Sequence, residues 1–277
     1  MKKLFFVFLL SFSVCVVFAF PLKIISCEPE QKVYNNLDKI VYSFEGKEDY
    51  AYIDRLNAES DVWAVYFHSF TGNARELFRS HIYQDLWIRN IREEKMGVLD
   101  MNIYGDSFMV PWVARSCHYM ISYIREKYGV KKFVFMGASM GGFCALKYAE
   151  LYPRDVSCVI AVSPNSDMEY MFRDKKDFIF AEAVQSAKEE FFRDENLIKK
   201  WNLYDNCRKL TMPVFLCHSK EDELVPVSQS DELAGKMKGN RKFRYVRFER
   251  GRHTETFSVG FNAGWEWFTE IKKEWEK

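Results

Sequence analysis

The stretch FVFMGASMGGFCAL, residues 133–146, runs an apolar segment into three glycines grouped around one serine. Residues 131–137 (KKFVFMG) read as a strand, and residues 140–153 (MGGFCALKYAELYP) as a helix stopped by Pro153. Gly137, Ser139 and Gly141 then stand on the turn between them in the pattern G-x-S-x-G. Glycine permits positive φ and close backbone approach. On a strand–turn–helix junction that freedom exposes the serine oxygen at the carboxyl end of a sheet, as a nucleophile elbow does. The alternative is an ordinary tight connection, and the rest of the chain has to decide.

Around this junction, strand and helix patterns alternate. VWAVYF (62–67) is a continuous apolar run of the kind found in strands buried on both faces, and GVLDMNI (97–103) is a shorter one. Residues 110–129 carry apolar positions at three- and four-residue spacing between Pro111 and Gly129, an amphipathic helix. VSCVIAVSP, PVFLCHS and KFRYVRF are further strands. SQSDELAGKMKG is a helix with Ser228 at its N-cap, and the tail from residue 255 is a last helix with an aromatic face. KIVYSF (39–44) and YAYI form an edge hairpin. The alternation predicts an α/β fold with a mostly parallel sheet between helices. Residues 165–210 contain helical patterns without a strand, the mark of a lid-like insertion in one domain.

A serine nucleophile needs a base. Of His68, His81, His118, His218 and His253, His253 lies in a loop after the last strand, from which a ring can reach back over the sheet. His218, at a strand end, is the runner-up; His118 and His81 fall in helical stretches. The base needs a carboxylate to orient it. The loop CHSKEDELVP offers Asp222, with Glu221 as the alternative, between serine and histidine in chain order. Oxyanion donors are expected from the N–H of Met140, just after the serine, and from Phe70, with Ser69 next, in the loop after residue 67. His68 is expected to brace that loop.

With these residues in place the chain resembles an α/β-hydrolase over about three quarters of its length, in the order Ser139, Asp222, His253. It is most similar to secreted bacterial serine esterases and prolyl-oligopeptidase-like hydrolases, whose elbow, acid loop and histidine loop resemble GASMGG, HSKEDELVP and GRHTE. It departs from them in reading His-Ser-Phe where His-Gly is usual, and His-Ser where the acid loop commonly has glycine. The segment YGDSFMVP (104–111) resembles a loop that some of these proteins carry above the site, which makes Tyr104, Ser107, Phe108 and Trp112 candidate substrate contacts. The resemblance implies hydrolysis of short-chain carboxylic esters, acetyl groups on extracellular carbohydrate among them, through an acyl-enzyme. A peptidase, or a non-catalytic carbohydrate- or surface-binding protein on the same scaffold, are the alternatives.

Composition sets the remaining bounds. The 277 residues are 48% hydrophobic, and 40 basic residues nearly balance 39 acidic ones, so no electrostatic footprint for nucleic acid is expected. Lys2 and Lys3 precede an apolar run that ends in small residues at Val17 and Ala19, the pattern of a signal peptide over residues 1–19 and of an exported, periplasmic or extracellular protein. The hydrolase domain is expected over residues 28–277. A membrane role enters only if the leader is retained as an anchor or if IISC is a lipoprotein box ending at Cys27. The seven cysteines show no CxxC pair, and neither metal nor cofactor is expected: GASMGG lacks a phosphate loop's lysine.

Overall fold

A computed structural model describes residues 21–30, 36–79, 84–174 and 185–275. The expected leader and His81 lie outside the described residues. The strands are β1 (Leu22–Pro29), β2 (Leu37–Phe44), β3 (Lys47–Asp54), β4 (Val62–Phe67), β5 (Gly97–Met101), β6 (Lys132–Ala138), β7 (Cys158–Val162), β8 (Val214–Ser219) and β9 (Phe243–Phe248). They form one nine-stranded sheet in the order β1-β2-β3-β5-β4-β6-β7-β8-β9. From β5 to β9 every neighbouring pair is parallel, and β1, β2 and β3 join antiparallel at one edge. This is the α/β-hydrolase fold.

The edge differs from expectation. β2 and β3 make the hairpin, turning through Glu45 and Gly46, both at positive φ as a two-residue primed turn requires. The outermost strand, however, is β1, which the sequence reading did not foresee. It pairs with β2 from Leu22 onward, so the sheet takes in residues ahead of the start expected at residue 28. Cys27 sits within β1 opposite Ile40.

The helices are α1 (Glu76–Arg79), α2 (Gln84–Glu93), α3 (Pro111–Tyr128), α4 (Met140–Leu151), α5 (Gln185–Arg193), α6 (Glu195–Trp201), α7 (Val227–Lys236) and α8 (Glu255–Trp275). Helix α3 ends where Gly129 adopts the left-handed conformation. Pro226, not Ser228, precedes the first turn of α7, because the proline's fixed φ already starts the helix. Two cores sandwich the sheet: α3, α4, α6 and α7 cover one face, and α2 and α8 the other.

The expected insertion leaves β7 and returns at β8, and it is fastened at its base. Met168 N–H donates to Asn202 Oδ1 at 2.5 Å, and Leu203 N–H to Ser166 O at 3.2 Å, so its two ends bond each other. Gln229 Oε1 of α7 accepts from Ser166 N–H and Asp167 N–H. Trp201 Nε1 donates to Phe108 O, and the buried Lys147 Nζ to Asn202 O.

Candidate active site

The chain order places β4 between β5 and β6, so the connections leaving β4 and β6 run to opposite sides of the sheet. Their divergence opens a crevice at the carboxyl ends of the strands, where open α/β sheets bind ligands. The elbow stands there. Ser139 has φ 52° and ψ −120°, a conformation that L residues rarely adopt and that a sharp strand-to-helix turn imposes. The flanking glycines make room. A Cβ on Gly141 would collide with Phe67 O, and one on Gly137 with the Gly141 backbone, so α4 can lie against β4 and β6 only without them. Ser139 precedes α4 without capping it through its side chain, so its hydroxyl is not spent on the helix.

Ser139 and His253 border the same cavity, about 230 Å³, with Ser69, Phe70, Thr71, Asn165, Leu224, Val225, Thr254 and Phe257. His253 is 4% exposed and sits in the loop between β9 and α8. Its Nδ1–H donates to Asp222 Oδ2 at 2.6 Å, and its backbone N–H to Glu223 Oε2 at 3.0 Å. Because Nδ1 faces a carboxylate, the proton of the neutral ring lies there and Nε2 keeps its lone pair. The loop after β8 fixes the acid. Asp222 Oδ1 accepts from Leu224 N–H and Val225 N–H, and Oδ2 lies 3.0 Å from His218 Nε2 as well as against His253. Burial alone would raise this carboxyl, but the hydrogen bonds from His218 and His253, the His253 charge and the Val225 N–H hold it well below the usual carboxylate range. Glu221 instead accepts from Gly251 N–H.

His218, the runner-up base, is fully buried and borders no part of the cavity. Its Nε2 lies 3.0 Å from both Asp222 Oδ2 and Val225 O, one N–H shared between two acceptors, and its Nδ1 meets Ser230 Oγ at 2.7 Å, so it props the acid from behind.

Ser69 is corrected as an oxyanion donor. Its N–H lies 3.1 Å from both carboxylate oxygens of Glu76, and its hydroxyl donates to Glu76 at 2.6 Å, so the donor is already engaged. Phe70 borders the cavity, and Met140 N–H, at the first position of α4, has no acceptor within its own helix. The loop is held further by Asp106, which accepts from Thr71 N–H at 2.8 Å, and by His68, bonded to Ser69 O and Asn102 O. His68 braces as expected.

The substrate contacts expected at residues 104–112 are also corrected. None of them borders the Ser139 cavity. Ser107 and Phe108 are fully buried, with Phe108 packed 5.2 Å from the Phe172 ring. Tyr104 packs edge-on to Trp112 at 4.6 Å and its hydroxyl lies 3.0 Å from Ser116 Oγ; both rings border a separate surface cleft. Phe108 serves packing, while Tyr104 and Trp112 face that cleft and not the Ser139 cavity.

A second carboxylate–histidine pair lies at the opposite end of the sheet. Asp155, just before β7, lies 2.7 Å from His118 Nδ1 and accepts from Arg125 at 2.9 Å and Tyr148 at 2.9 Å. His118 stacks on Tyr152, their rings 4.2 Å apart.

A sequence model of the prolyl oligopeptidase family matches residues 119–274, more than half of the chain. No curated protein matches it. Among solved structures it is similar to Est1E from Butyrivibrio proteoclasticus, at 18% identity over 84% of this chain and 98% of that one, with a TM-score of 0.67. The esterase Pf2001 of Pyrococcus furiosus is 17% identical over 92% of this chain and 91% of that one, TM-score 0.60. An S-formylglutathione hydrolase from Agrobacterium tumefaciens is 15% identical over 89% and 98%, TM-score 0.59. At these identities the likeness is one of fold.

Proposed function

The chain belongs to the prolyl oligopeptidase family, and from that premise we propose that it hydrolyses carboxylic esters of short acyl groups, with Ser139 as nucleophile, His253 as base and Asp222 as the acid that orients it. Serine hydrolysis comes with the family; the ester bond, the acyl size and the residue roles are our reading. The observation that carries it is a small cavity bordered by both Ser139 and His253, with Asp222 bonded to the far side of the ring.

Ser139 Oγ attacks the ester carbonyl carbon while His253 Nε2 takes its proton. The developing oxyanion is met by N–H groups of Met140 and Phe70, the first aided by the N-terminus of α4. Collapse breaks the bond to the alcohol, which leaves with the proton from His253. Water, deprotonated by the same ring, then cleaves the acyl-serine and releases the acid. Asp222, held ionised, stabilises the imidazolium in both halves.

At about 230 Å³ the cavity falls below the usual range for sites that hold drug-sized ligands, roughly 300–1,000 Å³. That supports a short acyl group. Among the described residues no Asp, Glu, Lys or Arg lines it, so they offer no clamp for a peptide terminus, which favours esters over peptides. Phe108 is buried, and Tyr104 and Trp112 border a separate cleft, so none of the three adds support for a carbohydrate alcohol at the Ser139 cavity.

The test is hydrolysis of p-nitrophenyl acetate, butyrate and octanoate by the wild type, Ser139→Ala and His253→Ala. Turnover of the two short esters, abolished by both substitutions, is the expected result. Activity that persists in Ser139→Ala overturns the assignment, and preferential cleavage of aminoacyl p-nitroanilides would move the reading to peptide bonds.

A further inference from the structure

Asn165 stands where the chain leaves β7 for the insertion, borders the Ser139 cavity and is 1% exposed. Its Nδ2 donates to Met171 Sδ at 3.1 Å, a weak acceptor, while its Oδ1 is buried with no hydrogen-bond partner among the described residues. Ser163 Oγ, Ser166 Oγ and Gln229 Nε2 nearby in the chain or packed on it are likewise buried without partners, but none of those residues borders the cavity. Asn165 alone among them can meet a ligand. An unpaired buried carbonyl oxygen is costly, and a ligand that brings the missing donor recovers that cost.

We propose that Asn165 Oδ1 accepts a hydrogen bond from a hydroxyl on the acyl group, so that the pocket selects short hydroxyacyl esters over plain alkanoyl ones. This names the substrate class of the ester-hydrolase site and rests on that reading. The donor belongs to the acyl side because Asn165 lies at the deep wall, backed by the buried Met171, whereas Leu224, 41% exposed, marks the rim through which an alcohol leaves. It is a hydroxyl and not an ammonium because none of the described residues lining the cavity is a carboxylate, and an unpaired cation would be desolvated there at great cost. Of the other walls, which include Ser69, Thr71 and Thr254, the apolar Phe70, Val225 and Phe257 suit the carbon skeleton of such a group.

The experiment compares kcat/KM for p-nitrophenyl butyrate with the 2-hydroxy- and 3-hydroxybutyrate esters, in the wild type and in Asn165→Leu. The wild type should favour at least one hydroxy ester by about tenfold or more, the factor that one satisfied buried group supplies. In Asn165→Leu that preference should vanish, the ratio of hydroxybutyrate to butyrate kcat/KM falling to about one. Equal rates in the wild type, or a preference that survives Asn165→Leu, overturn the proposal. A second measurement needs no turnover: the thermal shift of Ser139→Ala with ethyl 3-hydroxybutyrate and ethyl 2-hydroxybutyrate against ethyl butyrate. A larger shift with a hydroxy ester supports the pocket assignment, and equal shifts overturn it. Absence of ester turnover by the wild type with a hydroxy-dependent shift would count against the ester-hydrolase reading alone.

Discussion

Asp222 and Asp155 each hold a histidine at 2.6–2.7 Å, one beyond the carboxyl end of β8 and the other before the amino end of β7. As isolated pairs they are alike. Around Asp222, however, the ring's other nitrogen belongs to a residue that borders a cavity shared with a serine on a strained turn. Around Asp155, the remaining partners are Arg125 and Tyr148, and His118 is stacked flat on Tyr152. A carboxylate–imidazole pair is therefore no signature of catalysis by itself. Its position in the topology decides, because only the carboxyl end of the sheet has connections that diverge.

The comparison breaks first at the nucleophile. Ser139→Ala or His253→Ala should lower kcat/KM for a short ester by about 10,000-fold or more, with melting temperature little changed; steady-state kinetics beside a thermal melt checks this. Asp222→Asn should follow, losing about 1,000- to 10,000-fold in kcat because the amide no longer selects the Nδ1–H tautomer. Asp155→Asn inverts the pattern. It should leave kcat/KM within about threefold while costing about 2–4 kcal/mol of stability, since a buried acceptor for three donors is weakened; denaturant melts would read it. A large activity loss there at unchanged stability would undo the distinction between the two ends.

Acid sharpens the same contrast. Asp222 has a depressed folded-state pKa, so its ionised form contributes stability that is present above the unfolded carboxyl pKa of about 3.9 and is lost as pH falls through the depressed folded value. The stability deficit of Asp222→Asn should shrink as pH falls below about 4, as urea titrations at each pH would show. The smallest effect is expected for His118→Ala. Its side chain is 38% exposed, so solvent screens the ion pair, and the loss should be about 1 kcal/mol or less with unchanged kcat.

Much of this was legible in the sequence, and the gaps have physical causes. The elbow could be read because Gly137, Ser139 and Gly141 are local: the constraint and the residues that meet it lie within one turn. Chain order singles out Asp222 and His253, each in the loop after a strand, and the structure bonds the two to each other. β1 was missed because its side chains are only partly buried and include Lys23, Glu28 and Pro29, so its pairing shows no apolar run. Ser69 was misjudged because its N–H is claimed by Glu76, seven residues on, and nothing in the residue types announces that bond. Phe108 lies in the core because an aromatic residue fits a core as well as a platform, and Tyr104 and Trp112 border a different cleft because residue type does not say which opening a ring faces. Asn165 gave no signal at all: a polar residue after a strand reads as a turn, and only its enclosure sets it apart.

The stapled base of the insertion has a consequence for how such a protein can change. With Met168 bonded to Asn202 and Leu203 to Ser166, the two ends meet before the sheet begins, like the neck of a drawn bag. Whatever lies between 168 and 202 can lengthen, shorten or be exchanged at little more than the slowly growing entropy of closing a longer loop. The strands and the elbow need not register the change. A lineage could thus refashion what lies above the crevice while leaving the chemistry at its floor inherited intact.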